Sequence, residues 1–389
     1  MAKRIRLGLK YSYDENWIGG TYYLENLVKS LNTLNDIEKP EIIAIVIKKS
    51  DFLLLKKNTS YPYLKFQIHS GEKNILCRGI NIVTRRLLGK SVCSQKIKNL
   101  DGVFPYTNSI QFDLAKKKIY WIPDFQDHFF AEMFKVSEIE RRLKWQQGIA
   151  SSNFDLVLSS QDAFNQFKKI FPGYKVSTHV VPFAVSLPKL TNSSIPAEVN
   201  QQKIPGNYFI CCNQFWPHKN HLIILKAIKY LKDKGQEIKV IFTGKVSVNL
   251  ESEKYYKDLT DFILSNSLST NVILLGFVDR QVQLNLLSNA QAVIQPSLFE
   301  GWSTIVEDAK FLNKSLIISD LKIHREQLEK YEAHYFNPHN EDDLANHLSL
   351  ASYKSNVSKN AIIDYHQNIT VFAKEFMAIL KNETNYANK

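Results

Sequence analysis

Long apolar runs are missing from this chain of 389 residues, and nothing in it approaches the roughly 18 consecutive apolar residues of a membrane-crossing helix. The start, Met1 to Arg6, is basic and leads straight into a strand-like segment, with no apolar block of the secretory kind. The expected location is the cytoplasm, with peripheral contact on the inner face of the membrane as a further expectation. Cysteine is scarce: Cys77, Cys93, Cys211 and Cys212 show no C-x-x-C spacing, which excludes the common zinc and redox frameworks. They read as buried thiols of a reducing compartment. Gly/Pro-rich tracts and short-period repeats are also absent, which excludes fibrous and solenoid architectures.

What is present fits a soluble globular protein, with 44% apolar and 23% charged residues. The length suits two domains of about 150 to 200 residues each rather than one core. Charge is unevenly spread: 28 of the 50 Lys and Arg, against 17 of the 38 Asp and Glu, lie in residues 1–185, so almost the whole net charge of +12 sits on the first half. An anionic partner would meet that half; a solvated surface adapted for solubility is the plainer account. Between the halves, Ser186 to Gly206 carries Pro188, Pro196 and Pro205 among Ser, Thr, Asn and Gln, the composition of a linker. The expected division is a domain over 1–185, a linker over 186–205, a second domain over 206–365 and a C-terminal helix over 366–389 crossing back to the first domain.

Short β-rich runs alternate with helical patterns throughout. They are Arg4–Leu9, Glu41–Lys48, Lys118–Ile122 and Leu156–Ser160 in the first half. In the second they are Tyr208–Cys212, Ile238–Thr243, Val272–Leu275, Ala292–Ile294, Leu316–Ser319 and His334–Phe336. That alternation predicts an α/β fold of two Rossmann-like, doubly wound domains facing across a cleft, with ligands outside the C-terminal ends of the strands.

Three segments combine a strand end, a turn and a helix start, where backbone N–H groups and the helix dipole meet anions. The first holds Gly19-Gly20; alone such a pair is weak, and a plain tight turn is the commoner meaning. The strongest is Gln295-Pro-Ser297-Leu-Phe-Glu300-Gly301-Trp302-Ser303-Thr304-Ile-Val-Glu307-Asp308-Ala309. Gly301 lets a ligand approach the backbone, the amides of Trp302 to Ile305 can donate to phosphate or hydroxyl oxygens, and the acids can accept from sugar or ribose hydroxyls. Acids in a first helical turn also stabilise the dipole with no ligand at all. The third is Asn213-Gln214-Phe-Trp216-Pro-His218-Lys219-Asn220-His221, in which Lys219 is placed to neutralise a diphosphate leaving group. His218 and His221 have no acidic partner nearby in sequence and read as helix-start residues rather than metal ligands.

Taken in order, these residues resemble the retaining GT-B glycosyltransferases of glycosyltransferase family four, also called glycosyl transferases group 1. The likeness is strong over residues 206–350: Lys219-Asn220, Leu275-Gly276-Phe277-Val278, Pro296-Ser297, Glu300-Gly301, the acid pair Glu307-Asp308, Ser319-Asp320, Glu326 and Phe336-Asn337-Pro338. In the first half it is looser, covering Gly19-Gly20 and Asp124 and ending near Val181-Pro182. The resemblance implies a C-terminal domain that holds a nucleotide-diphosphate sugar as donor substrate, an N-terminal domain on the acceptor side, no cofactor and no metal. It also implies front-face transfer with retention, in polysaccharide or lipopolysaccharide biosynthesis. By position Glu300 would contact the donor sugar, Lys219 the diphosphate, and Asp308 the ribose, with the amides of Gly301, Trp302, Ser303 and Thr304 on sugar and phosphate. Asp308 stands where the family usually has Glu, so Glu307 remains an alternative. Gln214 stands where the family commonly has Arg, and the family's N-domain histidine is replaced by the pair Pro123-Asp124, with His128 a substitute as good as a surface histidine. The catalytic set expected is therefore Glu300, Lys219, His128 and Asp124.

Two rival classes remain: a basic nucleic-acid-binding protein, which pI ≈ 9.2 permits but no module supports, and a nucleotide-sugar epimerase on the same fold. Lys73 to Lys98 interleaves seven basic residues, Lys73, Arg78, Arg85, Arg86, Lys90, Lys96 and Lys98, with Ile80, Ile82, Val83, Leu87 and Leu88, a pattern that suits an anionic lipid surface and a lipid-linked acceptor; a solvated helix fits equally. The lipid reading predicts co-sedimentation with anionic vesicles at low salt, lost at high salt; protein left in the supernatant at low salt would discard it.

Overall fold

A computed structural model describes residues 3–68, 80, 82–84, 86–87, 97–108, 112, 114–188, 204–246, 250–350 and 359–382, with side chains of the last segment from 365 onward. Most of the basic stretch from Lys73, together with Cys77, Cys93 and linker residues 189–203, lies outside the described residues. Two compact units share the chain. The first comprises Met1–Asp127, Phe134–Ala184 and Gln367–Lys389, and the second His128–Met133 and Val185–His366.

In the first unit seven strands form one sheet: β1 (Arg6–Lys10), β2 (Glu41–Val46), β3 (Leu64–Ile68), β4 (Gly102–Phe104), β5 (Lys117–Ile122), β6 (Asp155–Leu158) and β7 (Ser177–Val180). Their order is β3-β2-β1-β4-β5-β6-β7, and every pairing is parallel. The second unit repeats the plan with β8 (Phe209–Cys212), β9 (Val240–Thr243), β10 (Val272–Gly276), β11 (Val293–Gln295), β12 (Leu316–Ser319) and β13 (His334–Phe336), in the order β10-β9-β8-β11-β12-β13. Both units are thus doubly wound α/β sheets, as the alternation of strands and helices predicts.

Burial explains why the strand runs are so apolar. Along β8 and the residue before it, Phe209 and Cys211 enter one buried cluster while Tyr208 and Ile210 enter another, so both faces of the sheet are covered by helices. All ten strand runs read from the sequence correspond to strands. The three not read were β3, β4 and β7. β3 is an outer strand with exposed and half-buried positions, β4 is only three residues long, and β7 is an outer strand of Ser-Thr-His-Val. None of them carries the apolar run of a strand buried on both faces.

The Gly19-Gly20 pair lies within the first turn of the helix Ile18–Leu31, not in a turn ahead of it. A Cβ at Gly20 would sit 2.6 Å from the Trp17 ring, so this glycine lets an indole lie flat on the helix start. The Trp17 ring in turn meets Trp121 at 5.4 Å between centroids.

The last helix, Lys359–Lys381, supplies Phe372 and Phe376 to the first unit, against Tyr23 and Phe104. On the same helix, burial raises the Glu375 carboxyl to about 7. A carboxyl whose folded pKa lies above its unfolded value favours the protonated state on folding, so stability declines as pH rises from about 4.5 to 7 and stays lower above that. Glu375→Gln is therefore expected to raise the unfolding midpoint at pH 8 and to leave it nearly unchanged at pH 4. Equal shifts at both pH values would refute the assignment.

Candidate active site

In the second unit the strand order reverses between β8 and β11, and the loops leaving their C-terminal ends carry the two strongest sequence signals. A doubly wound sheet binds ligands at such a reversal, because neighbouring loops there run to opposite faces and leave room between them. From β8 the chain enters a short 3-10 turn, Pro217–Lys219; Asn220 then adopts a left-handed conformation (φ 53°), and the helix His221–Asp233 follows. Asn220 holds that turn by donating its side-chain amide to the Pro338 carbonyl at 2.9 Å. From β11, residues 296–303 lead into the helix Thr304–Phe311. The Leu298 N–H donates to the His218 carbonyl at 2.7 Å, so the two loops are tied at the backbone.

Across that tie, Lys219 Nζ lies 2.6 Å from Glu300 Oε1. The same oxygen accepts from Gln295 Nε2 at 2.8 Å and Ser297 Oγ at 2.7 Å. Gln295 is itself oriented by Asn213, whose amide donates to its Oε1 at 2.9 Å. Three donors thus converge on Oε1, while Oε2 has no hydrogen-bond partner among the described residues. Backbone crowds in behind: a Cβ at Gly244, after β9, would lie 1.9 Å from the Asn213 carbonyl oxygen. Only glycine fits that approach.

Glu307 and Asp308 are neighbours with different surroundings. Glu307 Oε1 accepts from Lys310 Nζ at 2.9 Å and Gln327 Nε2 at 2.8 Å, and its Oε2 accepts from the Tyr365 hydroxyl at 2.8 Å. Asp308 is fully buried; its Oδ1 meets Arg280 at 2.5 Å, and its Oδ2 is a buried oxygen without a partner among the described residues. An unsatisfied buried acceptor costs about 1–3 kcal/mol, which a donor arriving with a ligand would recover.

The other expected residues distribute as follows. Gly301 and Trp302 are half-buried, Ser303 is buried, and Thr304 opens the helix whose first amides lack intrahelical acceptors. Gln214 is half-buried on the β8 loop, beside Lys219's turn. Gly19, Gly20 and Asp124 belong to the first unit, Asp124 receiving the Gln126 N–H at 3.1 Å. His128 belongs to the second, in the segment His128–Met133, whose Phe129 and Phe130 pack on Phe299 at 5.6 and 5.9 Å between centroids. His218 and His221 are buried, and burial pushes both imidazoles down, His221 to about 3, so they sit in the core as neutral rings; His221 stacks on Phe215. Of the cysteines described, Cys211 is buried and Cys212 half-buried.

The family model described as Glycosyl transferases group 1 matches residues 195–383. That span contains Lys219, Glu300, Glu307 and Asp308. Over 150 residues the chain is 29% identical to the O-antigen chain mannosyltransferase RfbU of Salmonella typhimurium, an alignment covering 39% of this chain and 40% of that protein. The chain thus spans well under half of the curated relative it matches. Solved structures share the fold over nearly the whole chain. Anabaena Alr3699/HepE in complex with UDP and glucose superposes with a TM-score of 0.67 at 16% identity, covering 97% of this chain and 100% of that one. A glycosyltransferase from Rickettsia africae gives 0.65 at 13% identity, covering 99% and 100%.

Several site residues carry little or no signal in the sequence. Asn213, Gln295 and Ser297 lay inside the segments already noted, and only their hydrogen bonds mark them. Gln327 adjoins Glu326, and Tyr365 carries no local sign. Arg280 had no signal of its own. The Asn213–Gln295–Glu300 chain yields a stability prediction. Gln295→Leu keeps the volume, strips two donors from the Ser297–Glu300 pair and leaves the buried Asn213 amide with only its weak contact to Cys211 Sγ at 3.6 Å, at an expected cost of about 1–3 kcal/mol. Chemical denaturation that shows wild-type stability would contradict it.

Proposed function

We propose that this chain is a retaining glycosyltransferase that moves a hexose from a nucleotide-diphosphate sugar to a glycan or lipid-linked acceptor, by a front-face route and without a metal ion. The observation that carries the reading is the Lys219–Glu300 contact at the strand reversal of the second unit. A cation and a carboxylate held side by side are what a sugar diphosphate needs at its scissile bond. The match to the glycosyl transferases group 1 and the partial likeness to an O-antigen mannosyltransferase support the same class and favour a bacterial polysaccharide as product.

In this reading the diphosphate lies against Lys219 and the first amides of the helix Thr304–Phe311. The ammonium and the helix N-terminus stabilise the charge that grows on the leaving phosphate, supplying the electrostatic assistance a metal would otherwise give. Glu300 Oε2, the oxygen left open, accepts from hydroxyls of the donor sugar. Oε1 is saturated by three donors, which suits a carboxylate that orients rather than attacks. The acceptor hydroxyl approaches the anomeric carbon on the face the phosphate leaves, and its proton passes to the departing phosphate oxygen. The bond to phosphate breaks as the bond to the acceptor forms, so the configuration is kept. Asp308, whose Oδ2 lacks a partner among the described residues, takes the ribose hydroxyl, and Glu307, with both oxygens engaged, does not.

The test is a thermal-shift and turnover screen against a panel of nucleotide sugars, with and without EDTA. The expectation is one donor that stabilises the protein and is slowly hydrolysed in EDTA, with Lys219→Ala losing about 10²–10³-fold in rate, the scale of removing one group that stabilises a developing oxyanion. An anomeric centre inverted in the product would remove the front-face route. No response to any nucleotide sugar would remove the transferase reading, and isomerisation of the donor with no acceptor present would replace it with an epimerase.

A further inference from the structure

Ser303 closes the loop that follows Glu300 and stands directly before the helix Thr304–Phe311, at the N-cap position where serine side chains usually accept from the first turn. Its side chain makes no such bond. The backbone of Ser303 is gripped from another element instead. Its N–H donates to Gln327 Oε1 at 3.3 Å, and its carbonyl accepts from Gln327 Nε2 at 2.8 Å. The second N–H of that amide goes to Glu307 Oε1 at 2.8 Å. A flipped Gln327 amide would set NH2 against the Ser303 N–H and oxygen against two acceptors, so only one orientation is compatible with these partners.

Glu307 is held just as closely. Lys310 Nζ donates to its Oε1 and, at 3.1 Å, to the Gln327 backbone carbonyl. On the other oxygen sits the Tyr365 hydroxyl, which accepts from the Val185 N–H at 2.8 Å. Ser303, Glu307, Lys310, Gln327 and Tyr365 are all buried, so no water competes for these bonds. Val185 and Tyr365 also stand at or beside two of the four places where the chain passes between compact units, after Ala184 and after His366.

We infer that Gln327, locked by Glu307 and Tyr365, sets the position of the 301–304 loop, and that these three are positioning residues for donor binding. The inference rests on the proposed donor role of that loop. It explains why a fully engaged carboxylate sits beside Asp308: one residue along a helix is a rotation of about 100°, so pinning Glu307 also fixes the direction in which Asp308 leaves the helix. Amides that must meet phosphate and sugar oxygens within hydrogen-bond distance need a support that does not shift by an ångström.

The experiment measures nucleotide-sugar affinity by calorimetry, together with donor KM, acceptor KM and thermal midpoint, for Gln327→Met, Gln327→Glu, Tyr365→Phe and the double variant Gln327→Met/Tyr365→Phe. Gln327→Met is expected to weaken donor binding about tenfold, leaving acceptor KM unchanged. Gln327→Glu is expected to be worse, because it faces Glu307 and the Ser303 carbonyl with a second carboxylate. Tyr365→Phe should weaken donor binding about threefold alone and add nothing further in the Gln327→Met background, since both act through one grip. Variants that lose thermal stability but bind donor like the wild type would overturn the inference and leave the transferase reading intact. If Gln327→Met does not fold, Tyr365→Phe decides alone, and unchanged affinity there overturns it equally. A wild-type protein that binds no nucleotide sugar would overturn both.

Discussion

One partly buried contact organises the candidate site of the second unit: the ammonium of Lys219 against the carboxylate of Glu300. Bringing two charges out of water is costly, and their mutual attraction offsets that cost only when further hydrogen bonds satisfy the remaining atoms. Here Gln295 and Ser297 supply those bonds, Asn213 fixes Gln295, and the Leu298–His218 backbone bond holds the two loops in register. The pair cannot form unless β8 and β11 are adjacent, because its members are 81 residues apart in the chain. The strand order of the sheet therefore comes before the chemistry.

Neighbouring positions in the helix Thr304–Phe311 show how a small rotation divides labour. Glu307 turns toward Lys310, Gln327 and Tyr365 and becomes part of the scaffold. Asp308 turns toward Arg280 and keeps one oxygen unsatisfied. Two acids of nearly the same chemistry end with opposite capacities for a ligand, and the difference lies in the donors each one faces. The pairing to Arg280 helps to fix where the short Asp308 carboxylate sits.

Much of the fold was legible. Strands buried on both faces must be apolar throughout, so β8, β9, β11 and β12 announce themselves, whereas β3 and β7 on the outside and the three-residue β4 do not. In the pair Gly19-Gly20 it is Gly20 that marks a tight spot, an indole lying on a helix start rather than a turn before it. Within the site, Lys219, Glu300 and the acid pair stood out because strand-end to helix junctions concentrate amides and charges. The supporting groups did not, since glutamine and tyrosine carry no local pattern when their partners are distant.

The sequence by itself determined two doubly wound units and the short segments that can meet a sugar diphosphate, because periodicity, apolar runs and strand-end motifs are properties of neighbouring residues. Tertiary structure alone decided which oxygen is occupied and which is open: Oε1 against Oε2 of Glu300, and Glu307 against Asp308. The first outcome depends on Lys219, 81 residues from Glu300, and the second on Gln327, Arg280 and Tyr365, between 20 and 58 residues away from the acids they meet. Hydrogen bonds have a reach of about 3 Å, so only the folded chain can say which donors come within it.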